Sequence, residues 1–368
     1  MEPTGSKLPK LPKLPKLPKL NVALLGATGY MGAELIRLLL VHPEARITTV
    51  MASERSAGLP VGRLIPSLRG RLPLTVEPLD AERAAAQADC VFLALPHGET
   101  QKVVSVLRRR GRRVVDLSAD YRLRKAADFE TWYKTPHTDP DGLSEAVYGL
   151  PELHRKEIAS AGLVANPGCY PAGALLAIVP LLQAGLGRAE GIVIDSKSGV
   201  TGAGAQTQKP DPMYQYAEAN ENVLAYGVTT HRHTPEIEQE LSAILGADVH
   251  VTFTPHLVPM NRGIFTTAYV PLARTVSTAD CLAVYREAYA HEPFVRVLDE
   301  GELPKTRAIV GSNLCDVAVV ADPRTGWAIC LSALDNLGKG GSANAIQNLN
   351  IMHGWDERTG LEAPPVYP

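Results

Sequence analysis

The chain has 368 residues, of which 45% are hydrophobic and 21% are charged, and its formal net charge is −2. This composition is typical of a soluble globular protein, and the near-neutral charge argues against a nucleic-acid partner. No run of about 18 apolar residues occurs, so the sequence predicts no membrane-spanning helix and no membrane partner.

The five cysteines, Cys90, Cys169, Cys281, Cys315 and Cys330, are scattered and include no C-x-x-C pair. This spacing predicts neither a disulfide framework nor a metal site, and it favours a reducing, cytoplasmic location. Cys90, Cys315 and Cys330 lie in apolar runs that read as core strands. Cys169 lies in a different setting.

Residues 1–20 form a Lys-Leu-Pro tail that differs from the rest of the chain. Proline at every third position blocks both helices and sheet ladders, so we predict a disordered tail outside the fold. It lacks the features of signal and transit peptides. An added extension and a natural tail are both compatible with it.

From residue 21 onwards, apolar runs alternate with amphipathic stretches in the rhythm of an α/β fold. Strand, glycine turn, helix and strand follow one another, and more strand–helix pairs continue to about residue 164. We therefore predict a Rossmann-like nucleotide-binding domain over 21–168, with a parallel sheet. Its predicted strands are 21–25, 47–51, 89–95 and 113–117, and its predicted helices are 33–40 and 99–110.

The pattern changes after residue 168. A helix over 172–184 is apolar on most faces and is predicted to be buried. Several later strands alternate polar and apolar residues, as antiparallel strands do, which predicts a second, α+β domain over 169–334. The segment 335–368 is expected to return to the first domain through a helix at 339–353. The predicted strands are 191–195, 250–254, 264–270, 315–320 and 327–331.

A glycine-rich turn between the first strand and the first helix predicts a dinucleotide site. Glycine lets the backbone approach a pyrophosphate, and the helix N-terminus supplies N–H donors. The G-x-x-G-x-x-G spacing is a weak signal by itself, and a structural turn without a ligand is the alternative. The predicted cofactor contacts here are Gly26, Thr28, Gly29, Tyr30, Met31 and Gly32.

The end of the second predicted strand indicates which dinucleotide binds. The strand runs into Ser53, Glu54 and Arg55. Glu54 could serve the ribose of NAD, but an arginine and a serine suit a 2′-phosphate better. We therefore predict NADP as the cofactor, bound in part by Ser53 and Arg55.

The segment 165–171, Ala-Asn-Pro-Gly-Cys-Tyr-Pro, predicts a nucleophile at Cys169. Proline and glycine force a turn before the apolar helix, so Cys169 should lie at a helix N-terminus. The helix dipole and free N–H groups there favour a thiolate. The alternative is a small residue that fills a corner between strand and helix.

A catalytic cysteine needs a proton partner, and His231 and His233 are the candidates. They precede a helix for which Thr234 reads as the N-cap and Pro235 as the first residue. An extended approach would turn the two rings to opposite sides, so one should reach the site and the other support it. No third ligand stands nearby, and no metal is predicted.

Six motifs in order along the chain resemble those of the N-acetyl-γ-glutamyl-phosphate reductases, of the semialdehyde dehydrogenase superfamily. The resemblance runs from about residue 21 to the C-terminus. The motifs lie at 26–35, 95–98, 116–122, 166–171, 231–237 and 335–340. One departure is Ala172, where the family usually has threonine.

The resemblance implies NADPH-dependent reduction of N-acetylglutamyl phosphate in arginine biosynthesis by a homodimer or homotetramer. It also implies that the α+β domain is the catalytic and dimerisation domain of the semialdehyde dehydrogenase type. It implies Cys169 as the nucleophile and a histidine of the H-R-H motif as general acid/base, with His231 preferred to His233. Contacts with the substrate are expected from Arg122, through a bidentate bond to its carboxylate, and from Asn166. Further residues expected near the cofactor are Ser198, Gly199 and Asn336.

Three alternatives differ in substrate or class. A related reductase acts on carrier-protein-bound aminoadipyl phosphate in lysine synthesis, but it departs from the N-P-G-C-Y-P motif. Aspartate-semialdehyde dehydrogenases share the chemistry without the H-R-H-x-P-E-I motif. A non-catalytic NADP-binding regulator could keep the fold, although the presence of both cysteine and histidine argues against it.

Overall fold

The computed structural model describes residues 18–205 and 211–367. The predicted tail lies outside the described residues up to residue 17. Leu20, which was predicted to belong to the tail, is the first residue of a strand and pairs with Ala45. The first strand thus begins one residue before its predicted start.

The first half of the chain alternates strands and helices as predicted. Its seven strands all pair in parallel, because a helix or a long connection leads from each strand to the next. The elements are β1 (Leu20–Leu25), α1 (Tyr30–Leu39), β2 (Ala45–Ala52), α2 (Val61–Leu64), β3 (Glu77–Pro78), α3 (Ala81–Gln87), β4 (Cys90–Leu93), α4 (Thr100–Arg109), β5 (Arg113–Asp116), α5 (Ala126–Tyr133), α6 (Pro140–Glu145), β6 (Val147–Tyr148), α7 (Pro151–Ser160) and β7 (Leu163–Ala165).

The strand order of this sheet is β3-β2-β1-β4-β5-β7-β6. The order reverses direction between β1 and β4, and in such sheets ligands bind at the carboxyl ends of the strands beside that point. Residues of the glycine turn and of the segment after β4 lie there. The fold therefore places the predicted cofactor residues where a Rossmann-like domain binds its ligand.

The second half of the chain forms a mixed sheet with helices packed against it. Its order is β12-β13-β14-β11-β8-β10-β9. The β8–β10 pair is parallel where antiparallel strands were expected, and β12, which was not predicted, pairs in parallel with β13. The elements are α8 (Cys169–Gln183), β8 (Ile192–Ser198), α9 (Tyr216–Ala219), β9 (Leu224–Ala225), α10 (Thr234–Leu245), β10 (Val251–Leu257), β11 (Ile264–Pro271), α11 (Thr278–Ala288), β12 (Val295–Val297), β13 (Cys315–Asp322), β14 (Trp327–Leu334) and α12 (Ala343–Met352).

Helix α8 is the centre of the second domain. Its residues are buried from Tyr170 to Leu182, and it packs against β11, β13 and β14 on one side and α10 and α11 on another. The predicted buried helix is therefore confirmed, although it begins at Cys169 and not at residue 172. Gly168, with extended backbone, is its N-cap.

The chain after β14 runs back to the first sheet. A π-helical turn, Gly338–Ser342, leads into α12, which packs against α1 and α7. The turn passes close to the nucleophile, since a Cβ on Gly340 would lie 2.9 Å from Cβ of Cys169. Glycine is required there because that spacing leaves no room for a side chain.

The predicted fold class, a Rossmann-like domain followed by an α+β domain, is confirmed. In the described ranges, no helix is long and apolar enough to cross a membrane.

Candidate active site

A cavity of about 390 Å³ opens between the two domains. Its walls come from the segments that follow β4 and β5 in the first domain, and from the start of α8 and the turn before α10 in the second. The predicted site residues that line it are Met31, Arg122, Cys169, Ser198, Gly199, His231 and His233. The predicted residues outside its lining are Gly26, Thr28, Gly29, Tyr30, Gly32, Ser53, Arg55, Asn166 and Asn336.

Burial dominates the chemistry of the Cys169 thiol. It raises the pKa of the thiol to about 11, against the lowering effects of the Arg122 charge and of the N–H groups of Tyr170 and Cys169. The expectation of a resting thiolate is therefore wrong, because desolvation outweighs the helix N-terminus. Cys169 needs a base to become a nucleophile.

The raised pKa predicts how Cys169 reacts with iodoacetamide in the free enzyme. Since the thiolate is the reacting form, the rate should rise about tenfold per pH unit from neutral pH towards the pKa. Cys169 should still react faster than the other four cysteines, which are buried. Peptide mapping after timed alkylation measures each site, and a rate that levels off near neutral pH would show that a thiolate is already present.

The two candidate histidines lie side by side on the cavity wall. The ring centroids of His231 and His233 are 4.8 Å apart. The prediction that they face opposite ways is wrong, because the segment before α10 is a turn, with Thr229 at φ 62°, and not an extended strand. Burial lowers the pKa of both rings, that of His231 to about 4. Both are therefore neutral near pH 7 and able to accept a proton.

His233 is the histidine that lies against the cysteine loop, the segment 166–168 that leads into Cys169. A Cβ on Gly168 would stand only 2.5 Å from Nε2 of His233. The same Nε2 lies 3.5 Å from Nη1 of Arg122. His231 instead uses its Nδ1 to accept the backbone N–H of His233 at 3.1 Å. The geometry thus favours His233 as the proton acceptor for Cys169 and His231 as its support.

Helix α10 holds His233 in this place from its first turn. His233 is the N-cap and Thr234 the first helical residue, so the predicted N-cap at Thr234 is displaced by one position. One turn further on, Glu236 points back to the cysteine loop. Its Oε1 accepts the backbone N–H of Gly168 and the hydroxyl of Tyr148, each at 2.7 Å.

Glu236 was not anticipated from the sequence. It is buried, and its Oε2 lies 3.7 Å from Nη1 of Arg122. Burial raises the pKa of this carboxyl, against the lowering effect of Arg122. The carboxylate therefore ties the cysteine loop, the histidine turn and Arg122 together. The sequence feature that could have indicated its role is its position three residues after His233, in the first turn of a predicted helix.

Arg122 reaches the site from the segment after β5. Its Nε donates to the carbonyl of Asn166 at 2.8 Å, and its Nη2 donates to the carbonyl of Leu117 at 2.9 Å. These bonds occupy the edge that a bidentate carboxylate contact would use. Nη1, which lies beside His233, is the nitrogen left to face the cavity.

A second arginine, Arg232, lines the outer part of the cavity. It stands between the two histidines in sequence, is exposed, and was not singled out by the sequence analysis. Its Nη1 lies 2.7 Å from Nε2 of His97, and its guanidinium lies over the ring of Tyr133 at 5.2 Å. Arg232 comes from the second domain and the two rings from the first.

Two predicted ligand contacts are engaged with the protein itself. Asn166 is buried, and its amide binds the carbonyl of Gly341 and the side chains of Asn344 and Asn348. Asn336 is also buried, and it accepts the N–H of Gly263 and donates to the hydroxyl of Thr201. These residues hold the walls of the cavity in place. Their predicted ligand contacts stay predictions.

The glycine turn has the geometry of a dinucleotide cradle. Gly26 has φ +87°, and a Cβ there would lie 2.2 Å from the carbonyl oxygen of Ala94. A Cβ on Gly32 would lie 2.6 Å from the backbone of Ala27. Gly29 is the N-cap of α1, and a Cβ there would meet no atom closer than 3.8 Å, so its outer face is open. The residues present fit a pyrophosphate at this helix N-terminus.

Ser53 and Arg55 are exposed and follow β2 directly, beside the glycine turn. The N–H groups of Gly26 and Ala27 both donate to the carbonyl of Met51, near the end of β2. This places the end of β2 next to the turn, where a Rossmann-like fold holds the adenosine ribose. Within the described residues, no group of three or more His, Cys, Asp or Glu side chains could hold a metal ion.

The comparisons with known proteins agree with this geometry. A semialdehyde dehydrogenase NAD binding domain family matches residues 21–161, and a semialdehyde dehydrogenase dimerisation domain family matches residues 169–336. The structure resembles aspartate semialdehyde dehydrogenase II of Vibrio cholerae complexed with ASA, with a TM-score of 0.70 and 18% identity over 92% of this chain and 99% of that one. The chain therefore belongs to the semialdehyde dehydrogenase superfamily.

Closer relatives define the family within it. An N-acetyl-gamma-glutamyl-phosphate reductase of Geobacter metallireducens is 50% identical over 349 residues, covering 95% of this chain and 99% of the relative. A reductase of the same name from Moorella thermoacetica is 48% identical over 345 residues, covering 94% and 99%. The chain belongs to the N-acetyl-γ-glutamyl-phosphate reductase family, which confirms the resemblance found in its sequence.

Proposed function

We propose that the protein reduces N-acetyl-L-glutamyl 5-phosphate to N-acetyl-L-glutamate 5-semialdehyde and phosphate, with NADPH, in arginine biosynthesis. The relatives at about 50% identity carry the name of this activity over almost the whole chain. One observation carries the chemistry: Cys169, at the N-terminus of a buried helix, faces a cavity that His233 and Arg122 share. The product is an aldehyde formed through a thioester on Cys169.

Activation of the thiol is the first step that these residues perform. His233 is neutral near pH 7, and its Nε2 lies beside the loop that carries Cys169. It takes the thiol proton as sulfur attacks the γ-carbonyl carbon. The Glu236 carboxylate, which lies 3.7 Å from Nη1 of Arg122 and accepts the N–H of Gly168, offsets part of the Arg122 charge that would otherwise oppose protonation of the ring.

Arg122 stabilises the departing group. Its Nη1 lies beside His233 on the cavity wall, so its charge is close to the attacked carbonyl. The phosphate is two bonds from that carbon and the α-carboxylate carbon is four bonds away. We therefore assign Arg122 to the acyl-phosphate end of the substrate in place of the carboxylate that the sequence suggested. Expulsion of phosphate leaves the thioester.

The backbone at the start of α8 serves the oxygen of the attacked carbonyl. The N–H groups of Cys169 and Tyr170 point towards the sulfur, so they lie close to the carbonyl oxygen on which negative charge develops when the sulfur bonds to the carbon. The hydride that reduces the thioester comes from NADPH when it is bound. His233 then returns its proton as the thiohemiacetal collapses to the aldehyde and Cys169 is released.

The reverse reaction tests this function. NADPH formation should be observed with N-acetylglutamate 5-semialdehyde, phosphate and NADP, and it should require phosphate. Aspartate semialdehyde is the control substrate and should react poorly. NADP binding without turnover of either aldehyde would instead favour the carrier-bound substrate or the non-catalytic regulator.

Cofactor choice is predicted to depend on Arg55. An Arg55→Ala variant should raise the KM for NADPH about 10- to 100-fold, because a charge-assisted contact with the 2′-phosphate is lost, and should leave the KM for NADH nearly unchanged. Arg188→Ala is the matched control, since Arg188 is exposed on the second domain. An equal change in the KM for NADPH and the KM for NADH would show that Arg55 does not recognise the 2′-phosphate.

We further propose a cytoplasmic homodimer or homotetramer. The second domain matches a family described as a dimerisation domain. All five cysteines are free, and a reducing compartment such as the cytoplasm keeps thiols in this form. Light scattering at two protein concentrations distinguishes a dimer or tetramer from a monomer.

A further inference from the structure

We propose that Arg232 binds the α-carboxylate of the substrate at the outer end of the cavity and thereby selects acyl phosphates that carry a second anion. This inference rests on the proposed function, which supplies a substrate with two anionic ends.

The charges on the cavity wall match such a substrate. Among the described residues that line the cavity, the permanently charged side chains are Arg122 and Arg232, and none is an aspartate or a glutamate. The substrate brings a phosphate and a carboxylate into this space. The cavity therefore offers one arginine for each of the two anions.

The two arginines differ in depth. Arg122 is 9% exposed and bonds to the carbonyl of Asn166, three residues before the nucleophile. Arg232 is exposed and stands at the mouth, where the two domains meet. Once the γ-carbonyl is at Cys169, the phosphate is the nearer anion and falls to Arg122. The α-carboxylate, further along the substrate chain, extends towards Arg232.

The guanidinium of Arg232 is held in place without a carboxylate partner, as a site that binds an anion requires. In the described part of the chain, no carboxylate lies within 4.0 Å of its guanidinium. Arg122, Arg124 and Arg262, which also reach across the two domains, each have a glutamate partner. Tyr133 fixes one face of its plane and His97 fixes one nitrogen. Aromatic stacking orients a guanidinium without neutralising it, so the remaining N–H donors stay available for a carboxylate.

The test uses two aldehydes that differ only in the carboxylate. N-acetylglutamate 5-semialdehyde carries it, and 4-acetamidobutanal is the same molecule without it. In the reverse reaction, Arg232→Gln should lower kcat/KM for the first aldehyde about 10- to 100-fold, and change that for the second by less than about threefold. Arg232→Lys should retain part of the preference, and the KM for phosphate should stay within about twofold of wild type.

Arg122→Gln and Arg188→Gln complete the comparison. The first should lower kcat/KM for both aldehydes equally and raise the KM for phosphate, whereas the second, on an exposed residue, should change nothing. The inference is overturned if Arg232→Gln affects both aldehydes equally, affects neither, or raises the KM for phosphate alone. Wild-type protein that turns over neither aldehyde would instead overturn the proposed function, and this inference with it.

Discussion

Replacing Cys169 with alanine should lower kcat by about four orders of magnitude or more, because Cys169 is the only cysteine among the described residues that line the cavity. The variant should fold as wild type does, since alanine is smaller than cysteine and the side chain is only partly buried at the edge of the second domain's core. NADP binding, measured by fluorescence titration, should be unchanged. The loss would then belong to the chemistry and not to the structure.

Cys281→Ala is the matched control for this variant. Cys281 is buried in the core of the second domain and lies outside the cavity lining, so its loss should leave kcat within about twofold of wild type. Substantial turnover by Cys169→Ala would contradict a thioester mechanism and would point to direct hydride transfer to the acyl phosphate.

Replacing His233 with asparagine should lower kcat about 100- to 10,000-fold, the usual contribution of a general base. The pH profile is the more specific measurement. Without its base, Cys169 must ionise by itself, so kcat/KM of the variant should keep rising with pH towards the raised thiol pKa of about 11. Wild type should instead level off near neutral pH, where His233 already accepts the proton.

His231→Asn is the partner variant. Asparagine can still accept the backbone N–H of His233, which His231 accepts through Nδ1, so the turn should survive and activity should fall less than about tenfold. The opposite order of effects, with His231 indispensable and His233 dispensable, would restore the histidine that the motif alone suggested. It would also show that the closeness of His233 to Gly168 does not identify the residue that takes the proton from Cys169.

The fold was largely predictable because its signals are local. A glycine turn between strand and helix, proline and glycine before the cysteine, and alternating strands each depend on a few adjacent residues. The error in the position of the α1 start has the same origin. Gly29 caps the helix, so it begins at Tyr30, whereas the apolar pattern becomes visible only at residue 33.

The site was less predictable because it is assembled from residues far apart in the chain. The Arg122–His233 contact spans 111 positions, and the Arg232–His97 contact spans 135. Nothing near Arg232 in the sequence shows that two rings of the first domain hold it. Glu236 could have been proposed from its spacing to His233, but its bond to Gly168 could not.

The ionisation of Cys169 shows why position alone is insufficient. A helix N-terminus lowers a thiol pKa, and this helix has one. It is also the buried centre of its domain, and the desolvation that follows from its apolar sequence acts in the opposite direction and is larger. The sequence contains both effects, but only the packed structure shows their relative size.

The thioester can be observed most directly in a reaction without phosphate. When wild type is mixed with NADP and N-acetylglutamate 5-semialdehyde, hydride leaves the thiohemiacetal but nothing removes the acyl group from Cys169. We predict a burst of one NADPH per active site and an N-acetylglutamyl adduct on Cys169 in peptide mass spectra. When phosphate is added, the adduct should disappear and NADPH formation should continue. A steady rate without phosphate, or a burst with no adduct on Cys169, would contradict the mechanism.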